Sequence, residues 1–227
     1  MSNTYFAIGV GAVALLITDA ASAFCSTPTP KVCSAYFQAD IVLRGEVLSE
    51  HRGEERITYK VKVDKTFKGK SLPLRYVYTG NDSGRLPLNV GSRYVLFADQ
   101  KHDGLTIGCN EQDLSEPVKV DVVSAEIERL QVSKTQFATI EGEVLAADYS
   151  SPLPGQSVTA TGADGVHKAT SNSSGFFSVQ VPPGQYQVEV DPNTVEQTIY
   201  SAIYTNPKAI HLRPGQCAQL QYAAVRR

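Results

Sequence analysis

Cysteine, serine and histidine are the side chains in this sequence that could carry covalent or metal chemistry, and their spacing limits which kinds are open to them. The four cysteines are Cys25, Cys33, Cys109 and Cys217. No two form a CxxC pair, so neither a zinc knuckle nor a thioredoxin-like redox centre is spelled out. An even number of widely spaced cysteines in an exported chain reads instead as two disulfides, with three pairings open. The four histidines, His51, His102, His167 and His211, stand singly in polar sequence with no metal-ligand spacing, as surface histidines do. Ser83 lies in Gly80-Asn81-Asp82-Ser83-Gly84, a serine beside an aspartate as in some nucleophile segments. The same residues are those a tight turn selects, and the strand-like Tyr76-Val77-Tyr78 precedes them. Glu54-Glu55 falls in a charged stretch, 51–56, that reads as a solvated hairpin end. The glycines never form GxGxxG or a phosphate loop. No catalytic, cofactor-binding or metal residue is therefore expected, and the chain reads as a non-enzymatic protein.

The compartment follows from the first residues. An uncharged apolar run, 5–18, is ended by Asp19 and followed by Ala21-Ser22-Ala23, the layout of a signal peptide cleaved after Ala23. The run is shorter than the roughly 20 residues a bilayer span needs, so no membrane span is expected after cleavage. The protein is thus expected to be secreted, periplasmic or extracellular, which suits its disulfides. Formal net charge is −2 with both signs scattered, so no basic face for nucleic acid is present.

The elements that must position any binding surface are mainly β. Runs rich in Val, Ile, Leu and Tyr at 41–48, 57–63, 74–78, 93–98 and 105–107 are separated by Gly, Asn, Asp and Ser, and five such strands suit a small barrel. In Ile57-Thr58-Tyr59-Lys60-Val61-Lys62-Val63 the alternation is strict, with one face to a core and one to water. Val120, Val123, Ile127 and Leu130 repeat at helical spacing and predict one short helix. The polar stretch 131–136 marks the domain boundary. Beyond it, strands at 139–145, 156–161, 167–171, 176–181 and 185–190, punctuated by Pro-Gly and Ser-Gly turns, argue for a sandwich of seven or so strands. Gly175 and Gly184 are placed where turns need positive φ, and Phe176 and Tyr186 lead core-filling strands. The domains are expected at 24–134 and 138–227, after a leader at 1–23.

Two family resemblances attach to these residues. The series Ala39-Asp40-Ile41-Val42-Leu43-Arg44-Gly45-Glu46-Val47, Phe67-Lys68-Gly69, Tyr78-Thr79-Gly80 and Leu105-Thr106-Ile107-Gly108-Cys109 resembles the inhibitory domain of tissue inhibitors of metalloproteinases, a netrin-like module with an OB-type barrel. Ile140-Glu141-Gly142-Glu143-Val144, Pro154-Gly155-Gln156, Ser174-Gly175-Phe176-Phe177 and Val181-Pro182-Pro183-Gly184-Gln185-Tyr186 resemble a carboxypeptidase regulatory-like domain of the transthyretin-like kind, an accessory β-sandwich that implies no reaction.

The first resemblance implies that Cys25, Ser26 and Thr27 would contact a metalloprotease, with the free α-amine of Cys25 on its zinc. It also implies a tie from Cys25 to Cys109, which leaves Cys33 for Cys217. The sequence departs from the family here. Cleavage after Ala23 leaves Phe24 acylating the Cys25 nitrogen, and an amide nitrogen does not ligate zinc in this way. Thr27 stands where the family has a second cysteine, and the loop after Tyr78-Thr79 lacks another. The expected role is therefore binding or structural, toward a protein partner or a cell-surface or matrix component, with metalloprotease inhibition as the alternative and an enzyme of unrecognised type third. Asn81-Asp82-Ser83 and Asn172-Ser173-Ser174 also fit the N-glycan acceptor pattern.

Overall fold

The computed structural model describes residues 30–109, 112–193, 195–201 and 208–226. The expected leader, its cleavage point after Ala23, and Cys25, Ser26 and Thr27 lie outside the described residues.

Strands β1 (Ile41–Arg52), β2 (Arg56–Lys68), β3 (Leu74–Gly80), β4 (Arg93–Lys101) and β5 (Gly104–Thr106) close into a barrel in the order β1-β2-β3-β5-β4. The β3–β5 pair is parallel and the other pairs are antiparallel, the order of an OB-type barrel. Ile57, Tyr59 and Val61 of β2 point inward and are fully buried, as their alternation predicts. β1 closes the barrel by pairing with both β2 and β4, and register shifts at Val42/Leu43, Arg44/Gly45 and Val47/Ser49 bend it to do so. Gly45 lies in this bend, where an added Cβ would stand 2.5 Å from the Lys62 carbonyl oxygen.

A second apolar layer covers one outer side of the barrel. Helix α1 (Val32–Gln38) and helix α2 (Val120–Val132), the latter entered through a 3₁₀ turn at Pro117–Lys119, pack over Val42, Phe67, Val95 and Phe97. This explains why Tyr94–Ala98 is an unbroken apolar run: β4 is buried on both faces. The predicted stripe of α2 is the buried one, with Val120, Val123 and Ile127 in this layer and Leu130 beside it. The single helix expected from sequence becomes two. α1 has seven residues and no side-chain cap, and burial of Val32, Cys33, Ser34 and Ala35 holds it in place of propensity.

The second half is a sandwich of two four-stranded sheets. β6 (Ala138–Ala146), β7 (Ser157–Gly162), β8 (Gly165–Thr170), β9 (Phe176–Val181), β10 (Gly184–Val190), β11 (Val195–Ser201), β12 (Ile210–Leu212) and β13 (Cys217–Arg226) pair in the orders β12-β10-β7-β8 and β11-β13-β6-β9. Ile140, Val144, Phe177, Tyr186, Val188, Leu220 and Tyr222 fill the space between the sheets. β13 runs parallel to β6, with Cys217 opposite Thr139.

Two expectations for this half need correction. Gly175 has φ +74°, and a Cβ there would meet the Val144 oxygen at 2.5 Å. Gly184, in contrast, is not in the positive-φ region; it opens β10 in register with Leu212. Phe177 rather than Phe176 faces the core, because the inward set of β9 begins one residue later than expected. No helix among the described residues is long and apolar enough to cross a membrane.

Candidate functional site

The cysteines the structure describes are in disulfides. Cys33 of α1 is bonded to Cys217 at the start of β13, with Cα atoms 5.8 Å apart. Cys109 is also disulfide-bonded. Ser83 stands in a turn, as its neighbours imply: the Asp82 carboxylate accepts the Gly84 N–H at 2.8 Å and so closes the turn. Asn81 Nδ2 donates to the Gly53 carbonyl at 3.0 Å, and Asn172 Oδ1 accepts the Ser174 N–H at 2.9 Å, so both sequon asparagines brace turns. Among the described residues no group of three His, Cys, Asp or Glu is placed to hold a metal.

The structure instead assembles a polar cluster at the barrel mouth. The β1–β2 tip (53–55) and the β4–β5 turn flank an open cleft of about 620 Å³ lined by Glu54, Glu55, Arg56, Tyr78, Gly80 and Asp103. Arg56 Nη1 lies 3.1 Å from Asp103 Oδ2, and its guanidinium stacks over the Tyr78 ring at 5.1 Å. The Tyr78 hydroxyl donates to the other oxygen of Asp103. Gly104, at φ +139°, makes room for that ring, since a Cβ would come within 3.2 Å of it.

Each partner fixes the other's protonation. The hydrogen bond from Tyr78, helped by Arg56, holds the Asp103 carboxyl below its usual range, and the same bond raises the Tyr78 phenol. Asp103 therefore remains an acceptor and Tyr78 a donor at neutral pH. A carboxyl held low in this way is not poised as a general acid, which would need a raised pKa. Tyr76, 58 % exposed, lies two residues before Tyr78 on the same outer face, opposite Lys60 of β2.

A second polar group locks the β7–β8 turn. The Tyr186 hydroxyl shares its proton between Asp164 Oδ1, 2.9 Å away, and the Pro182 oxygen, 2.8 Å away. His167 Nε2 donates to Asp164 Oδ2 at 2.7 Å. Gly162 leaves space for the Tyr186 ring, because a Cβ there would be 2.5 Å from it. Burial, then the bond to Asp164, pushes the phenol up to about 12.

Residues 139–221 match the carboxypeptidase regulatory-like domain. This regulatory-like domain spans β6 to the middle of β13 and leaves the barrel outside the match. No curated protein matches the chain. Among solved structures, a DUF3823 family protein from Parabacteroides merdae is 12% identical over 40% of this chain and 48% of its own, at a TM-score of 0.26. The Bacillus anthracis TIE protein is 12% identical over 83% of this chain and 31% of its own, at 0.31. BcpA, the major pilin subunit of Bacillus cereus, is 10% identical over 80% of this chain and 40% of its own, at 0.28. The chain thus spans less than half the length of each of these proteins.

The cluster Arg56, Tyr78 and Asp103 was not marked by the sequence. The charged stretch 51–56 read only as a solvated hairpin end, and the three residues come from β2, β3 and the β4–β5 turn and share no spacing.

Proposed function

We propose that this chain is an exported, non-catalytic binding protein, and that the barrel mouth holds its ligand. The observation that carries the reading is the convergence of Arg56, Tyr78 and Asp103 in the cleft between the β1–β2 tip and the β4–β5 turn. Those two loops and the β2–β3 face are where OB-type barrels present their recognition surface. Tyr76 and Tyr78 offer aromatic faces, and the Tyr78–Asp103–Arg56 chain offers fixed donors and acceptors, a combination suited to a cell-surface or matrix component or an exposed protein segment. Disulfides and the leader-like first residues support export. A regulatory-like sandwich beside the barrel fits an accessory, non-catalytic role.

The test is a binding screen of the secreted protein against surface glycans and matrix proteins, repeated with Tyr78→Ala and Arg56→Ala. A ligand whose binding falls at least tenfold in both variants is expected. A ligand bound equally well by both would remove the mouth from the reading, and turnover of any bound component would remove the non-catalytic part.

The inhibitor reading is favoured by one observation, the OB order of the barrel together with a disulfide-bonded Cys109. It requires Cys25 to be the first residue of the mature protein. N-terminal sequencing is expected to find Phe24 first, with no inhibition of zinc proteases. Cys25 first, together with tight inhibition, would replace the binding reading by the inhibitor one.

A further inference from the structure

A second cleft, of about 560 Å³, opens where the barrel meets the sandwich, between α1, the end of β2 and the β12–β13 connection. Tyr36, Phe37, Lys68, His211, Arg213 and Gln216 line it, and among the described residues no carboxylate does. Lys68 is held in place: its ammonium donates to the carbonyls of Tyr36 at 3.0 Å and Phe37 at 2.9 Å, at the carbonyl end of α1. Burial lowers its pKa, and the nearby Asp40 only partly opposes this. Asp40 itself accepts the Gln100 N–H at 2.8 Å. Arg213 is exposed and makes no ion pair among the described residues, while its N–H donates to Gln216 Oε1 at 2.7 Å and fixes the turn that carries it. His211 projects from the outward face of β12.

We propose that this cleft binds an acidic saccharide, with the carboxylate of a hexuronate between Lys68 and Arg213 and a pyranose face against the half-exposed rings of Tyr36 and Phe37. Three features favour it. Among the described residues no carboxylate lines the cleft, and Asp40, the carboxylate near Lys68, is engaged by the Gln100 N–H. The two rings pack edge to face at 5.2 Å and both line the cleft, which gives a pyranose an aromatic wall. The Tyr36 and Phe37 carbonyls accept from the Lys68 ammonium and so hold that cation at the wall of the cleft. The proposal does not depend on the barrel mouth.

The experiment is calorimetric titration of the full, disulfide-intact protein with a trimer of galacturonic acid, a neutral galactose trimer, inorganic phosphate and a triglutamate peptide. The uronate trimer alone is expected to bind, weakening as salt is raised. Arg213→Gln, at an exposed position that leaves the fold untouched, is expected to weaken it at least tenfold, and Lys68→Gln likewise. Tyr78→Ala at the barrel mouth is expected to leave it unchanged. Equal binding of the neutral trimer, tighter binding of phosphate or peptide, absence of uronate binding at millimolar concentration, or an unaffected Arg213→Gln would each overturn the proposal.

Discussion

The ammonium of Lys31 lies 3.0 Å from Glu141 Oε2, joining the residue before α1 to the middle of β6. The same ammonium stands 3.6 Å from the centroid of the Phe176 ring, and the Lys31 N–H donates to Gln219 Oε1 at 2.8 Å. Glu141 is nearly enclosed, at 11% side-chain exposure, whereas Lys31 is about half exposed, at 48%. Lys31→Met is expected to destabilise the protein by about 1 kcal/mol, a figure reduced for the solvent that reaches the lysine. In urea unfolding, the double variant with Glu141→Gln should lose less than the sum of the two single variants. Strict additivity would show that the pair contributes nothing.

Replacing Cys33 and Cys217 by serine should loosen the joint without unfolding either half. The bond spans 184 residues, for which the chain-entropy model gives about 5 kcal/mol, an upper figure because the seam is also held by Lys31. Hydrogen exchange is the measurement. Faster exchange in Val32–Gln38 and around Cys217, with protection retained in β2 and β6, is the expected pattern. Loss of protection throughout would mean the halves cannot stand apart.

Gly142→Ala should be among the most damaging small changes in the sandwich. A Cβ there would stand 2.1 Å from the Leu220 carbonyl oxygen, across the parallel β6–β13 pair. The strands cannot separate without breaking their ladder, so a loss of about 3 kcal/mol is expected. Gly155→Ala meets nothing within 4 Å and suffers only from its φ of +78°, for which about 1 kcal/mol is expected. Thermal unfolding of the two variants checks the order.

The β7–β8 lock should respond to pH at both extremes. The folded pKa of Tyr186 is raised to about 12 from 10.0, so its contribution is whole below pH 10 and is lost as pH rises toward 12. The folded pKa of Asp164 is lowered, chiefly by the bond from His167, so its contribution is whole above its ordinary value of 3.8 and is lost as pH falls below it. Unfolding measured against pH should therefore lose part of its alkaline slope in Tyr186→Phe and part of its acid slope in Asp164→Asn. Unchanged slopes would detach the cluster from stability.

Much of the architecture was legible because burial on one face leaves an alternating record, as in Ile57, Tyr59 and Val61, or a helical one, as in Val120, Val123 and Ile127. What escaped notice had weaker records. In β13 the inward residues include Ala218 and Ala224, and Gln219 and Gln221 between them are buried too, so polarity does not alternate with exposure. α1 exists through its contacts. The clefts were harder still, since Lys68 and Arg213 come to line one cleft only through the packing of the barrel against the sandwich, and no local spacing records that.

The parallel pairing of β6 with β13 also sets an order of events during synthesis. β6 leaves the ribosome well before its central partner exists, and the β6–β9 pair must wait with one edge open until β13 is made. Cys33 waits for the same strand. The first half of this protein is therefore made before the native partner of the Cys33 thiol exists, and the covalent joint at Cys217 records that the sandwich strands have been delivered. A chaperone or thiol oxidase acting on the growing chain would meet that thiol and that open edge together.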